Sequence, residues 1–546
     1  MSRTIQKFIA LVLCLAPFAG VGATHSQLAL AEENAATAAG EAASCDPVAP
    51  ARPRDSRQMT ARIDQLLAAD WAAAAIKPPA AADDATFLRR VSLDLVGVVP
   101  TVGEVRAFLA DRDPQKRARL IDRLLASHLH PDHLATTWRN MMVPRGAGVD
   151  EFDAQAGLQN WLQAQFAKNQ RYDQLVADLM VASGGSQEGP GLFYTAFDLK
   201  PEELAANTSR IFLGVQMECA QCHDHPFDRW TQGDFWSYAA FFARIGRGGD
   251  MQMGRGARLV DKETGEVMLP GTGTVVGPRY PRGDTPSRDD TGTRREQLGI
   301  WMVSRDNPFV APAAVNRAWA HLFGRGLVEP VDDLSERNPP SHPEVFRELS
   351  AYFIETSFDL RNLVRTLANT QAYQAASVTG EDDPPADAFA WMLVKTLTPE
   401  QFYDSLMRSS LSATGISNAP TRQNLGSFDV ARQTFVAKMQ SPSASRLDYD
   451  AGVAQVLLLL NGPEVTSATS RPTSGLLAAL DAPVLSDRER VEILFLATLA
   501  REPREQELLQ SLARLTRAAA DNIERSTALG DILWALYNSA EFSLNH

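Results

Sequence analysis

Residues 158–185 read LQNWLQAQFAKNQRYDQLVADLMVASGG. Leu158, Trp161, Leu162 and Phe166 recur at i, i+3, i+4 and i+8, and Leu175, Val176, Leu179 and Met180 make a second stripe of the same period. Apolar residues at this spacing share one face of an α-helix, so the stretch predicts two amphipathic helices, the second stopped by Gly184-Gly185. The same pattern appears upstream in Leu120, Ile121, Leu124 and Leu125, and downstream in Leu360, Leu363, Val364 and Leu367. Such stripes are core-forming. Val453 to Leu460, stopped by Asn461-Gly462-Pro463, and Leu529 to Tyr537 read as buried helices.

The period fails between Gly246 and Gly292, where glycine, proline and arginine dominate. One hairpin is expected there, Arg258 to Leu269, turning near Thr264-Gly265. The expected fold is therefore mainly α, with two large helical domains, 58–250 and 293–546, joined by a Gly/Pro-rich connector, 251–292, that carries a small β-hairpin. A second polar break, Ser412 to Leu447, reads as a surface loop or a subdomain joint. No solenoid period is present.

The chain has 546 residues, 45% hydrophobic and 22% charged, with 53 Lys and Arg against 66 Asp and Glu, a net charge of −13. That length and composition suit a globular protein with a large core. The acidic balance, without a run of like charges, argues against a nucleic-acid partner. Arg3 and Lys7 precede the apolar stretch Phe8 to Ala19, which is shorter than a bilayer span and broken by Pro17. This predicts a signal peptide over 1–31, cleaved after Ala23 or Ala31, and an exported protein of the periplasm or extracellular space with no stable membrane span. Residues 32–57, rich in Ala, Glu and Pro, read as a linker. Four cysteines are too few for a disulfide framework: Cys14 leaves with the signal, Cys45 lies in the linker, and Cys219 and Cys222 remain.

Those two stand in Cys219-Ala220-Gln221-Cys222-His223-Asp224-His225-Pro226-Phe227-Asp228. Two thiols three residues apart on one turn reach both vinyl groups of a single porphyrin, and the adjacent His223 supplies an imidazole to the iron, which is c-type haem attachment. Haem c is therefore the expected cofactor, held by Cys219, Cys222 and His223, and it implies a redox partner protein. Zn²⁺ on Cys219, Cys222, His223 and His225 is the alternative metal set, and a disulfide or redox-active dithiol the third reading. His225, two residues from His223, is expected to orient the proximal segment without binding iron. Met251 or Met253 would suit the distal position.

Other polar clusters read as structural. His128, His130 and His133 surround Pro131 at a helix end, while Asn316, Arg317, Trp319 and His321 share one helix, with His342 after Asn338-Pro339-Pro340-Ser341. A polar cleft is conceivable, but no nucleophile stands beside a base, and a hydrogen-bonded network is expected instead. No catalytic constellation is identified, and a hydrolase built on the second domain has no assembled mechanism. The functional alternative to a haem protein is a non-redox extracellular interaction or scaffold protein.

Phe87-Leu88-Arg89-Arg90-Val91-Ser92-Leu93-Asp94-Leu95 with Gly97 and Pro100-Thr101, and Asn207-Thr208-Ser209-Arg210 through Cys219 to Trp230, resemble the planctomycete-type cytochrome-like domain of unknown function. Asn307-Pro308-Phe309, Val315 to Trp319, Phe323 to Val328, Asn338 to Pro343, Leu460 to Glu464 and Asn538 to Phe542 resemble its C-terminal companion domain. The resemblance implies a secreted, largely helical, cytochrome-like protein and supplies no known reaction. Two departures stand out: the separate N-terminal cytochrome module of many relatives is missing, and the companion domain's Cys-Glu-Cys segment is absent around Phe435 to Arg446.

Overall fold

The computed structural model describes residues 54–143, 153–185, 189–248, 258–283, 285–286, 291–377, 384–411, 430–440, 447 and 452–546. The expected signal segment 1–31, nearly all of the linker 32–57, Cys14, Cys45, Met251 and Met253 lie outside them. Pro53–His546 forms one compact unit. Its described residues are mainly helical, with sheets of only two or three short strands.

The stripes that predict helices face the core. Leu158, Leu162 and Phe166 are buried on the Asp153–Ala167 helix, with Trp161 half-buried, and Leu175, Val176, Leu179 and Met180 are buried on Tyr172–Met180. Leu120 to Leu125 and Leu360 to Leu367 behave alike on Lys116–Leu125 and Leu360–Ala368. At about 1.5–3 kcal/mol for each fully buried large apolar side chain, these faces outweigh the modest intrinsic propensity of the segments. Ends are chemically marked: Thr101, Thr231, Thr293, Thr398 and Ser486 each close a capping box.

Two apolar cores result. The larger includes residues from Met59 to Leu259 and from Leu298 to Met392, so both expected helical halves contribute to it. The Ser56–Ala73 helix packs on Pro343–Glu355 and Leu360–Ala368. The smaller core gathers Phe402 to Phe542.

At the centre lies the Asp84–Val96 helix, on which every residue from Phe87 to Val96 is buried. Three of those residues are charged. Arg89 donates to the carbonyls of Thr498 at 2.9 Å and Phe542 at 2.8 Å, and Arg90 to those of Tyr373 at 2.6 Å and Ala375 at 2.9 Å. Burial pushes both guanidinium pKa values down to about 10, which leaves them charged at neutral pH. The Asp94 carboxylate accepts from Lys395 Nζ at 2.7 and 2.8 Å, Tyr373 OH at 2.9 Å and Asn545 Nδ2 at 2.8 Å. Lys395 also donates to the Leu322 carbonyl. A buried carboxylate and ammonium persist only when paired and hydrogen-bonded, and this helix meets that demand with residues from far along the chain, Leu322, Tyr373, Lys395 and Asn545.

Three expectations change. The strand Arg258–Asp261 does not fold back on Val267–Met268; it pairs antiparallel with Ile245–Gly248 and with Gly184–Gly185, while Val267–Met268 pairs with Val275–Val276. Leu259 and Ile245 face the core, and Arg295 grips Asp261 at 2.6 Å, which fixes that register. The polar break after Ser412 contains a helix, Val430–Lys438, held by Phe435 against Phe402 and Tyr403. Val453–Asn461 is helical but not buried: Val453 is 78% exposed and Leu457 54%, with Val456 and Leu460 on the same outward stripe. Leu529, Leu533, Leu536 and Tyr537 on Arg525–Tyr537 are buried, as the pattern predicts.

Candidate functional site

The Pro201–Thr208 helix widens into a π-turn, Ser209–Leu213, whose Ile211, Phe212 and Leu213 are buried. Arg317 holds this turn from the far side, donating to the Ile211 carbonyl at 2.9 Å and the Arg210 carbonyl at 2.6 Å. Gly214 then takes φ +66, where a Cβ would meet Leu334 Cδ1 at 2.7 Å, and its carbonyl accepts from Leu334 N at 2.8 Å. Only glycine serves at such a left-handed, tightly approached position. The chain surfaces here, with Val215, Met217 and Ala220 as inward anchors.

Glu218–Gln221 forms a 3₁₀ turn that Cys222 ends in the right-handed helical region. In a 3₁₀ turn residues i and i+3 eclipse, so Cys219 and Cys222 project on one side while Ala220 plugs the core on the other. Both thiols are free and exposed. His223 is exposed beside them, and its Nδ1 lies 2.8 Å from the Asp224 carbonyl oxygen. A ring nitrogen facing a carbonyl must donate, so in the neutral ring the proton sits on Nδ1 and the lone pair on Nε2. His225 is arranged oppositely: its Nδ1 accepts from Asp228 N at 2.8 Å and Phe227 N at 3.3 Å, so its neutral ring carries the proton on Nε2.

The turn rests on the helix that follows. Gln232 Nε2 donates to the Cys222 carbonyl at 2.9 Å and the Gln221 carbonyl at 3.3 Å, and Trp236 Nε1 to the latter at 3.0 Å. His225 N donates to the Trp230 carbonyl at 2.8 Å, which closes the loop on itself. Arg229 stacks on Trp230 and reaches Glu336 at 2.9 Å, and Gln216 reaches Asp332 at 2.9 Å, so residues 332–336 flank the turn.

Cys219, Cys222 and His223 are thus brought together on one exposed turn. Among the described residues no group of three or more His, Cys, Asp or Glu is placed to hold a metal ion, and the His225 Nδ1 accepts from two backbone N–H groups. Met251 and Met253 lie outside the described residues.

The remaining polar candidates form separate structural contacts. His130 is buried, donates from Nδ1 to the Leu95 carbonyl at 2.7 Å, and has its pKa pushed down to about 4 by burial. His133 packs on the His321 ring at 5.6 Å, and His321 Nε2 lies 2.9 Å from the Asp94 carbonyl. Asn316 Nδ2 donates to the Val328 carbonyl at 2.8 Å while its Oδ1 accepts from Val328 N at 3.0 Å, and His342 bridges Asp70 and the Asp387 carbonyl. Trp319 stacks on Phe323 at 4.2 Å in the core. Gln232, Trp236 and the Asp94–Lys395 pair escaped the sequence reading; the available signal for the pair was three charges, Arg89, Arg90 and Asp94, within the mostly apolar run Phe87 to Val96.

Comparison with protein families finds two matches in order. Residues 62–247 match PSCyt2, a protein of unknown function (DUF1549), and residues 294–427 match PSD1, a protein of unknown function (DUF1553). No curated protein and no solved structure matches the chain.

Proposed function

Because this chain carries a PSCyt2 domain followed by a PSD1 domain, families whose descriptions assign no reaction, we propose from the site itself that it is an exported c-type haem-binding protein with an electron-transfer role. The carrying observation is the His223 ring: Nδ1–H on the Asp224 carbonyl leaves Nε2 free beside two exposed thiols on one side of a 3₁₀ turn. That donor set fits haem c. Cys219 and Cys222 would hold the group by thioether bonds, and His223 would bind its iron through Nε2. When bound, haem c supplies reversible one-electron transfer. The protein's own part is to hold the imidazole in one tautomer, to keep both thiols on one side, and to present the group at the surface. Export fits the short, proline-broken apolar segment near the N-terminus, and among the described residues no helix is long and apolar enough to cross a membrane.

The test is expression in a host with a haem c maturation system. Thioether bonds survive denaturation, so peroxidase stain should follow the band on a denaturing gel, and Cys219→Ala with Cys222→Ala should abolish it. An unstained wild-type band ends the haem reading. An interaction role for the C-terminal half is the second reading, favoured by the outward apolar stripe Val453, Val456, Leu457 and Leu460. A colourless wild-type protein that loses a partner on Val453→Ser with Leu457→Ser would select it.

A further inference from the structure

Asp224 works in two directions. Its carbonyl receives the His223 Nδ1–H, while its side-chain Oδ1 accepts the backbone N–H of Gln232 at 2.8 Å. Gln232 is the first residue of the Gln232–Ala239 helix, so that N–H is one of the four amino-terminal donors with no intrahelical acceptor. The carboxylate also sits at the positive end of the helix dipole. Asp224 is therefore tied to a rigid helix end by a group that needs a partner in any case. The Gln232 side chain turns the other way and fastens the Cys222 and Gln221 carbonyls. One residue of the helix thus grips the turn on both sides of His223.

We propose that Asp224 and Gln232 are positioning residues that hold His223 in the Nδ1–H form with Nε2 presented beyond the two thiols. They act through the His223 ring and the backbone around it. The order of action runs from the Gln232–Ala239 helix to Asp224, from Asp224 to the ring proton, and from the ring proton to the nitrogen left free. Outer hydrogen bonds of this kind fix the tautomer and raise the basicity of a ligating imidazole. The part of the inference that concerns the bound group rests on the haem reading; the part that concerns the tautomer does not.

The two parts are tested separately. In the unloaded full-length protein at fixed alkaline pH, the ¹⁵N shifts of the His223 ring report the ratio of Nδ1–H to Nε2–H forms. Wild type should show mainly Nδ1–H. Loss of one hydrogen bond of about 1 kcal/mol corresponds to roughly a fivefold change in that ratio. Asp224→Ala, which keeps the carbonyl but unties it from the helix, should lower it by up to that factor, Gln232→Ala should lower it less because the backbone N–H remains, and Asp224→Asn, which keeps Oδ1, should restore it. In the haem-loaded protein, Asp224→Ala should keep the stained band on a denaturing gel and shift the potential, with Asp224→Asn close to wild type. Should Asp224→Ala fail to fold, Gln232→Ala and Asp224→Asn carry the same comparison. An unchanged tautomer ratio in Gln232→Ala and Asp224→Ala, or a wild-type ring already in the Nε2–H form, overturns the proposal. A ratio that responds as expected in a protein that never takes up haem sustains the positioning role and rejects the haem reading alone.

Discussion

Replacing Lys395 by Met should destabilise the protein more than any exposed substitution, because it strands a charge. The Lys395 and Asp94 side chains are both fully buried, with Nζ at 2.7 Å from one carboxylate oxygen. Asp94 would keep the hydroxyl of Tyr373 and the amide of Asn545, two neutral donors for a full negative charge. Removing one partner of a buried pair costs about 3–5 kcal/mol, which at roughly 2 °C per kcal/mol in a large chain lowers the melting temperature by about 6–10 °C. Asp94→Asn should cost a similar amount, since it strands the ammonium instead. The double variant removes both charges, and its loss should fall well below the sum of the single losses. The assay is urea unfolding followed by tryptophan fluorescence, with the four proteins compared as a cycle. Added salt should leave the pair's contribution intact, since neither group is exposed to screening ions. A Lys395→Met midpoint equal to wild type, or strictly additive losses, would refute the assignment of this pair as the buried clamp of the central helix.

Three further outcomes follow from the same packing. His130 is held neutral with its pKa down to about 4, against about 6.5 in an unfolded chain, so the unfolded state binds the extra proton between those values and stability falls as pH drops through that window. The full effect is about 3 kcal/mol; Asp64 and Asp132, raised to about 6 by burial, act oppositely but are common to wild type and His130→Gln, so the difference between the two proteins' urea midpoints at pH 7 and pH 4.5 isolates His130. Gly97 has φ +76 and an added Cβ would lie 2.5 Å from His133 Nδ1, so Gly97→Ala should cost more than about 1 kcal/mol, and an unshifted denaturation curve would contradict the contact. On the outward stripe, Val453→Ser should change stability by no more than about 0.5 kcal/mol, whereas Leu533→Ala, fully buried, should cost about 2–5 kcal/mol. A large loss at Val453 would restore the buried-helix expectation.

Helical periodicity was readable wherever the apolar face was complete, as in Leu158 to Phe166, because each helix reports its buried side through residues three and four apart. It misled at Val453 to Leu460, where a nearly all-apolar helix signals burial on every side and the fold covers only part of it. It was silent at Val430–Lys438, where one aromatic, Phe435, does the anchoring. The connector does carry a small antiparallel hairpin, Val267–Met268 with Val275–Val276, but Arg258 to Asp261 pairs with Gly184-Gly185 and Ile245 to Gly248 instead, and turn residues near Gly265 carry no information about those strands.

What the sequence determined by itself is local: the helical character of most segments, and a turn on which two thiols and an imidazole fall within five residues. Spacing suffices there because the distances are set by one turn of backbone. Only the tertiary structure decided that Asp94 meets Lys395, 301 positions away, and Asn545, 451 away. It also decided that Gln232, on the next helix, ties down Asp224 and Cys222 on either side of His223. The reason is desolvation. A charged residue in a sequence is compatible with water or with a partner, and the partner becomes obligatory only after long-range packing has removed the water.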